Sequence, residues 1–214
     1  MGVRPRHRAV HRQGHEPAQA PRAPDERRAP RSALVAAAPG REPPIKICVV
    51  SDSHDRADPI ARAVQAAKAL GAEAVIHCGD LIGAQTIKPA LAAGLPVHAI
   101  HGNNLGDAQA MHYQSRMSGG QFQYHGAEAR LELAGRRIIV THYDHLGYAL
   151  ACTGDWDLVC CGHSHVAETR TVADVKGGST WLVNPGTVAG LAGVATWVLG
   201  DLAQMRFDVH TIPL

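Results

Sequence analysis

IKICVVSDSH, residues 45–54, joins an apolar, β-branched run to a polar end that carries Asp52 and His54. The run reads as a buried strand, and the two polar side chains sit where it stops. Four later segments repeat the arrangement. Gly79-Asp80 follows AVIHC (74–78), Gly102-Asn103-Asn104 follows PVHAI (96–100), Thr141-His142 ends RRIIVTH (136–142), and Gly162-His163-Ser164-His165 follows DLVCC (157–161). In open α/β sheets, ligands bind where the carboxyl ends of strands converge. The pattern therefore predicts one α/β domain with a two-metal site built from several strand ends.

Between these strands the chain reads as helix. Pro59 stands at the first helical position with Asp58 as the expected N-cap, and Ile60, Ala63, Val64, Ala67 and Leu70 recur at helical spacing up to Gly71. A second helix is expected around 84–93. Alternation of strand and helix over short links predicts a parallel start to a sheet. DAQAMHYQSRM (107–117) reads as a helix and SGGQFQYHG (118–126) as a loop. EARLEL (128–133) and RRIIVTH flank Ala134-Gly135 and predict an antiparallel hairpin. A helix near 145–153 follows, and from Ala167 onward the chain reads mostly as strand. There are no internal repeats.

Residues 1–44 differ from the rest. They hold nine Arg against four acidic residues and eight of the thirteen Pro, while the whole chain carries a formal charge of only +2. Such a segment cannot bury enough apolar surface to offset its ordering entropy, so a disordered extension is expected, or a start read upstream in frame. A basic arm for nucleic acid is the sharper reading. It is not favoured, because acids interrupt the charge and no aromatic residue is there to stack on bases. The domain proper is expected over 45–214. Ala33–Ala38 is too short and too far from the start for a secretory signal, and no run approaches the ~20 apolar residues of a membrane helix. Five Cys, at 48, 78, 152, 160 and 161, form neither an even disulfide set nor a C-x-x-C pair. A reducing, cytoplasmic setting fits.

Asp52, His54, Asp80, Asn103, His142, His163 and His165 form the donor set. Two carboxylates, one amide and four imidazoles suit Mn2+, Fe2+, Ni2+ or Zn2+, and suit Ca2+ poorly. Seven donors exceed the four of a structural zinc site but serve two ions that share a carboxylate. His77, His98 and His101 read as ordinary strand or loop histidines.

The ordered set DSH, HCGD, GNN, TH, GHSH and NPGT resembles the calcineurin-like metallophosphoesterase superfamily. VVSDSHD, VIHCGD, HGNN and the NPGT ending are similar to its small single-domain phosphodiesterase branch. The resemblance covers about Ile45 to the C-terminus. It implies a four-layer αββα sandwich and two divalent ions, with Mn2+ the expected metal. By the same resemblance Asp52, His54, Asp80 and His165 hold one ion, and Asp80 bridges to a second held by Asn103, His142 and His163. It further implies hydrolysis of a small phosphate ester, most simply a diester, by a hydroxide bridging the ions, with Asn103, His54 and Asp80 acting in catalysis. Asn184-Pro185-Gly186-Thr187 matches the closing loop near the site. No membrane partner is expected, and a homo-oligomer is left open.

Three positions depart from the family's pattern. Leu105 replaces a supporting Asp, which Asp107 could take over. Asn104 stands where larger members carry an acid His, and His142-Tyr143 replaces His-Gly. With no imidazole at 104, His54 and His145 are the nearest candidate acids by sequence. The alternative function is a scaffold for protein partners, as in members resembling the small subunit of the retromer.

Overall fold

Four of the five residues of β1 (Lys46–Val50) are buried, as a strand covered on both faces requires. In the computed structural model, which describes residues 46–213, β1 lies inside a six-stranded sheet. The Arg/Pro-rich extension, expected to be disordered, lies outside the described residues. Helix α1 (Ala57–Ala69) leads to β2 (Ala74–His77), α2 (Lys88–Ala92) to β3 (Val97–Ala99), and α3 (Ala108–Met117) to β4 (Phe122–Tyr124). β1, β2, β3 and β4 pair in parallel. β10 (Thr196–Asp201) then joins the other side of β1 antiparallel, and β11 (Arg206–Thr211) completes the edge.

The second sheet has the order β5-β6-β7-β9-β8. β5 (Glu128–Leu133) and β6 (Arg136–Thr141) form the expected hairpin, and in EARLEL every second residue is buried, as in an edge strand with one face in water. After α4 (Asp144–Ala151), β7 (Leu158–Cys160) lies parallel to β6, and β9 (Ser179–Pro185) runs parallel to β7. β8 (Ala167–Ala173) closes the other edge.

Ile47, Val49 and Ile76 of the first sheet pack with Leu131, Ile138 and Leu158 of the second, so the main core lies between the sheets. The outer face of the first sheet, with Val50, Val75 and Val97, is covered by Ile60 and Val64 of α1 and by Met111 of α3. α4 covers the second sheet through Ala151, packed with Ile139, Val159 and Leu182. The layers run helix, sheet, sheet, helix: the four-layer αββα sandwich. Among the described residues no helix is long and apolar enough to cross a membrane.

Three local expectations are corrected. α1 starts at Ala57, ahead of Asp58, because the Arg56 amide donates to the Ser53 carbonyl (2.9 Å) and the Asp52–Asp55 turn feeds straight into the helix. α2 is only five residues long, since the Asp55 carboxylate accepts from the Gly83 amide (2.6 Å) and the Thr86 hydroxyl (2.8 Å) and holds the preceding residues in turns. Residues 118–126 are not all loop, because β4 forms within them. Its two outward amides, Phe122 and Tyr124, donate to the hydroxyls of Ser118 (3.0 Å) and Ser115 (3.2 Å) at the end of α3. A three-residue edge strand without a β-branched residue is stabilised this way by a neighbouring helix, which local propensity does not report.

Candidate metal centre

β1, β2 and β3 of one sheet and β6 and β7 of the other end at the same edge, and the seven donor side chains stand just beyond those ends. Backbone bonds lace the loops together. The amides of Asp52 and His54 donate to the carbonyls of Gly79 and Asp80 (3.0 Å each), and the Gly162 amide donates to the His142 carbonyl (2.8 Å). Five of the seven residues take positive φ: Asp52 (54°), His54 (45°), Asp80 (55°), His163 (69°) and His165 (58°). Left-handed backbone at non-glycine residues costs energy, and it collects where surrounding structure holds side chains in functional positions.

Asp80 lies between two sets of donors, and the buried Asp52 borders both. On one side, His165 Nε2 lies 3.2 Å from Asp52 Oδ1 and 3.4 Å from His54 Nε2, and His54 Nε2 lies 3.7 Å from Asp80 Oδ2. On the other, His142 Nε2 lies 3.5 Å from Asp80 Oδ1 and 2.9 Å from Asn103 Oδ1, which is itself 2.9 Å from His163 Nδ1. Asp52, Asp80 and His142 are buried, whereas Asn103 and His163 are exposed. The centre is closed behind and open on the Asn103–His163 side.

Neighbouring groups fix which ring nitrogens face inward. His142 Nδ1–H donates to the Cys78 carbonyl and His165 Nδ1–H to the Leu191 carbonyl, both at 2.9 Å. In the neutral rings, Nε2 of each then presents a lone pair to the carboxylates. Asp52 Oδ1 is fully buried with no hydrogen-bond partner. Lone pairs facing one another around a buried carboxylate oxygen are unfavourable unless a cation lies among them. Asp52, His54 and His165 each offer a donor atom, all within 4.8 Å of one another, and so do Asp52, Asp80 and His142. The donor chemistry therefore fits divalent ions.

The glycines of the motifs make room for this packing. A Cβ at Gly102 would overlap the Asp80 carboxylate, and one at Gly162 would overlap the Ser51 hydroxyl. From the NPGT loop, Asn184 Nδ2 donates to the Gly162 carbonyl (2.8 Å) and to Ser164 Oγ (3.0 Å), while the Thr187 hydroxyl donates to the Asp52 carbonyl (3.0 Å). Asn104 donates to Asp80 from both its amide (2.8 Å to Oδ1) and its side chain (2.5 Å to Oδ2).

His77 has a larger part here than its reading as an ordinary strand histidine. It is fully buried, its Nδ1 accepts from the Gly79 amide (3.3 Å), and its Nε2 lies 3.0 Å from the Ser53 hydroxyl. Burial, and then the imidazole of His142, push its pKa down to about 3, so it stays neutral and organises the turn into Asp80. No spacing signal in AVIHCGD marks it out. His98 and His101 have other partners than the donor set. His98 pairs with His125 (3.1 Å) and His101 Nδ1 with the Tyr124 hydroxyl (2.8 Å). His145 is largely exposed on α4, beside Asp144 at 3.7 Å. Leu105 is half-exposed, and Asp107 accepts from the Ala110 amide (2.8 Å) as the cap of α3.

The model of the calcineurin-like phosphoesterase superfamily domain matches residues 45–205. Phosphodiesterase MJ0936 of Methanocaldococcus jannaschii is 28% identical over 167 residues, which cover 76% of this chain and 96% of that protein. Among solved structures, a novel archaeal phosphodiesterase superposes with a TM-score of 0.70 at 24% identity, covering 78% of this chain and 99% of that one. TT1561 of Thermus thermophilus superposes with a TM-score of 0.57 at 13% identity over 79% of this chain and 100% of that one.

Proposed function

Because the chain belongs to the calcineurin-like phosphoesterase superfamily and is thereby a phosphoester hydrolase, we propose that it is a phosphodiesterase with a dinuclear centre at Asp80. Asp52, His54, His165 and Asp80 Oδ2 would hold one divalent ion. Asp80 Oδ1, Asn103, His142 and His163 would hold the other. Bound ions of this kind lower the pKa of a water nucleophile and neutralise charge on the phosphoryl oxygens. The observation that carries the reading is Asp80 itself, whose two carboxylate oxygens face separate groups of imidazoles, His54 on one side and His142 on the other.

The remaining work falls to this chain's own side chains. Asn104 donates to both oxygens of Asp80 and fixes the orientation of the carboxylate. Asn103, exposed at the open side, would contact the phosphoryl group. The backbone carbonyls of Cys78 and Leu191 hold His142 and His165 with Nε2 inward. Asn104 cannot protonate a leaving group, and His145 is turned outward. Departure then rests on the leaving group's own acidity, so diesters with a nitrophenolate leaving group should react far faster than alkyl esters. Mn2+ is the metal we propose, with Fe2+, Ni2+ and Zn2+ also suited to this donor set. A small soluble phosphate ester in the cytoplasm is the proposed substrate and setting. A scaffold for protein partners, the alternative, requires no such donor set.

Metal stoichiometry tests the reading. Protein saturated with Mn2+ should hold two ions per chain and hydrolyse a nitrophenyl diester. Asp80→Ala should lose both ions, His142→Ala chiefly the ion on the Asn103 side, and His165→Ala chiefly the other. A single ion in the saturated wild type would overturn the dinuclear centre. Two ions with no turnover of any ester would favour the scaffold.

A further inference from the structure

A cavity of about 270 Å³ opens beside His142. One wall comes from the first sheet, His101 and Gly102 beyond β3. The other comes from the second, Thr141, Tyr143 and Leu146 at the end of β6 and the start of α4, with Ala127 at the rim. Glu128 also lines it, but its carboxylate is paired with Arg130 at 2.8 Å. Apart from Thr141 the remaining lining is apolar or ring-shaped, and the cavity is smaller than the ~300–1,000 Å³ of sites that enclose a drug-sized ligand. It has room for one ring-sized substituent and lacks room for a long chain.

Tyr143 shapes this cavity, and it stands where the motif the chain resembles has glycine. The ring is half-buried and lies near three imidazoles. Its centroid lies 5.4 Å from that of His142 at 67°, 4.9 Å from His163 at 64°, and 5.6 Å from His145 at 46°. His101 is held on the opposite side by its bond to the Tyr124 hydroxyl. Flat groups bind well between pre-positioned rings, and such contacts contribute beyond the area they bury. The cavity shares His142 with the centre, so a group lodged in it belongs to the ester being cleaved. A leaving group without a protein acid takes its proton from water and needs an open exit. The cavity, walled by both sheets and only partly open to solvent, suits the arm that stays.

Resting on the phosphodiesterase reading, we propose that this cavity binds the retained ester arm of the substrate as a flat ring, aryl or nucleobase, and that Tyr143 is the residue that determines this specificity. Two esters with one leaving group isolate the effect: phenyl p-nitrophenyl phosphate and methyl p-nitrophenyl phosphate. For the Mn2+-loaded wild type, kcat/KM should favour the phenyl ester by about tenfold or more, mainly through KM. Tyr143→Ala and Leu146→Ala should each bring that ratio toward one, whereas Tyr143→Phe should keep it. If Tyr143 merely braced His142 and His163, Tyr143→Ala would slow both esters equally and leave the ratio intact, which would overturn the proposal.

Calorimetric binding of phenylphosphonate against methylphosphonate gives a readout free of turnover. Tighter binding of the phenyl compound that is lost in Tyr143→Ala supports the cavity's role even if no ester is hydrolysed, in which case the phosphodiesterase reading alone fails. Rapid hydrolysis of both esters at equal kcat/KM, with equal binding of the two phosphonates, keeps that reading and removes this one. A nucleoside p-nitrophenyl phosphate separates the two ring types, a ratio above that of the phenyl ester marking a nucleobase and one below it an aryl arm.

Discussion

Neither Leu105 nor Asp107 takes up the task that one carboxylate has in the pattern this chain resembles. Leu105 is half-exposed and offers no polar atom to the centre, while the Asp107 carboxylate is engaged at the Ala110 amide as a helix cap. Support for Asp80 comes instead from Asn104, one residue earlier. Loss of a group that orients a metal ligand typically costs ~10–100-fold in affinity or activity. Leu105→Asp is therefore expected to tighten metal binding or raise turnover. Asp107→Ala is expected to cost about 1 kcal/mol of stability through the lost cap, with metal content unchanged. Calorimetric metal titration and thermal unfolding of both variants check this. Abolished metal binding in Asp107→Ala, with no gain from Leu105→Asp, would make Asp107 the working partner.

At the scale of elements, the turn after β7 is held by the turn after β9. Asn184 reaches from the end of β9 to the Gly162 carbonyl and to Ser164, the two positions that flank His163. Asn184→Ala should leave the sheets intact but weaken metal binding on the order of tenfold or more. Unchanged metal affinity would show that the loop holds itself. A second expectation concerns the β3–β4 edge. Burial, and then the neighbouring His125, push His98 from 6.5 down to about 4. The unfolded chain thus takes up a proton near pH 6.5 that the folded chain refuses until about pH 4. This contribution to stability is complete above pH 6.5 and is lost as pH falls toward 4, by at most about 3 kcal/mol. Urea midpoints measured across that range should fall less steeply for His98→Asn than for the wild type. Every other side chain is common to both proteins, so the difference between the two isolates His98. Identical slopes would dismiss it.

For the whole molecule, nothing in the composition of residues 1–44 supplies a core, and the family model begins at residue 45. A chain starting at Pro44 is expected to fold with unchanged metal content and unchanged turnover of a soluble diester. A large loss of turnover with folding intact would give the extension a role. The sequence by itself carried the strand–helix alternation, the hairpin around Ala134-Gly135 and the polar positions at strand ends, because strands buried on both faces read as apolar runs and each of these positions stands at the end of one. Contacts distant in the chain decided the rest. β4 exists because Ser115 and Ser118 satisfy its outward amides, α2 is short because Asp55 reaches across to Gly83 and Thr86, and His77 matters because the turn into Asp80 closes on it. The arrangement of donors about Asp80, and the cavity against Tyr143, likewise needed two sheets packed face to face so that their strand ends meet. Periodicity reports which face of an element is buried, but only the packed structure decides which atoms meet there.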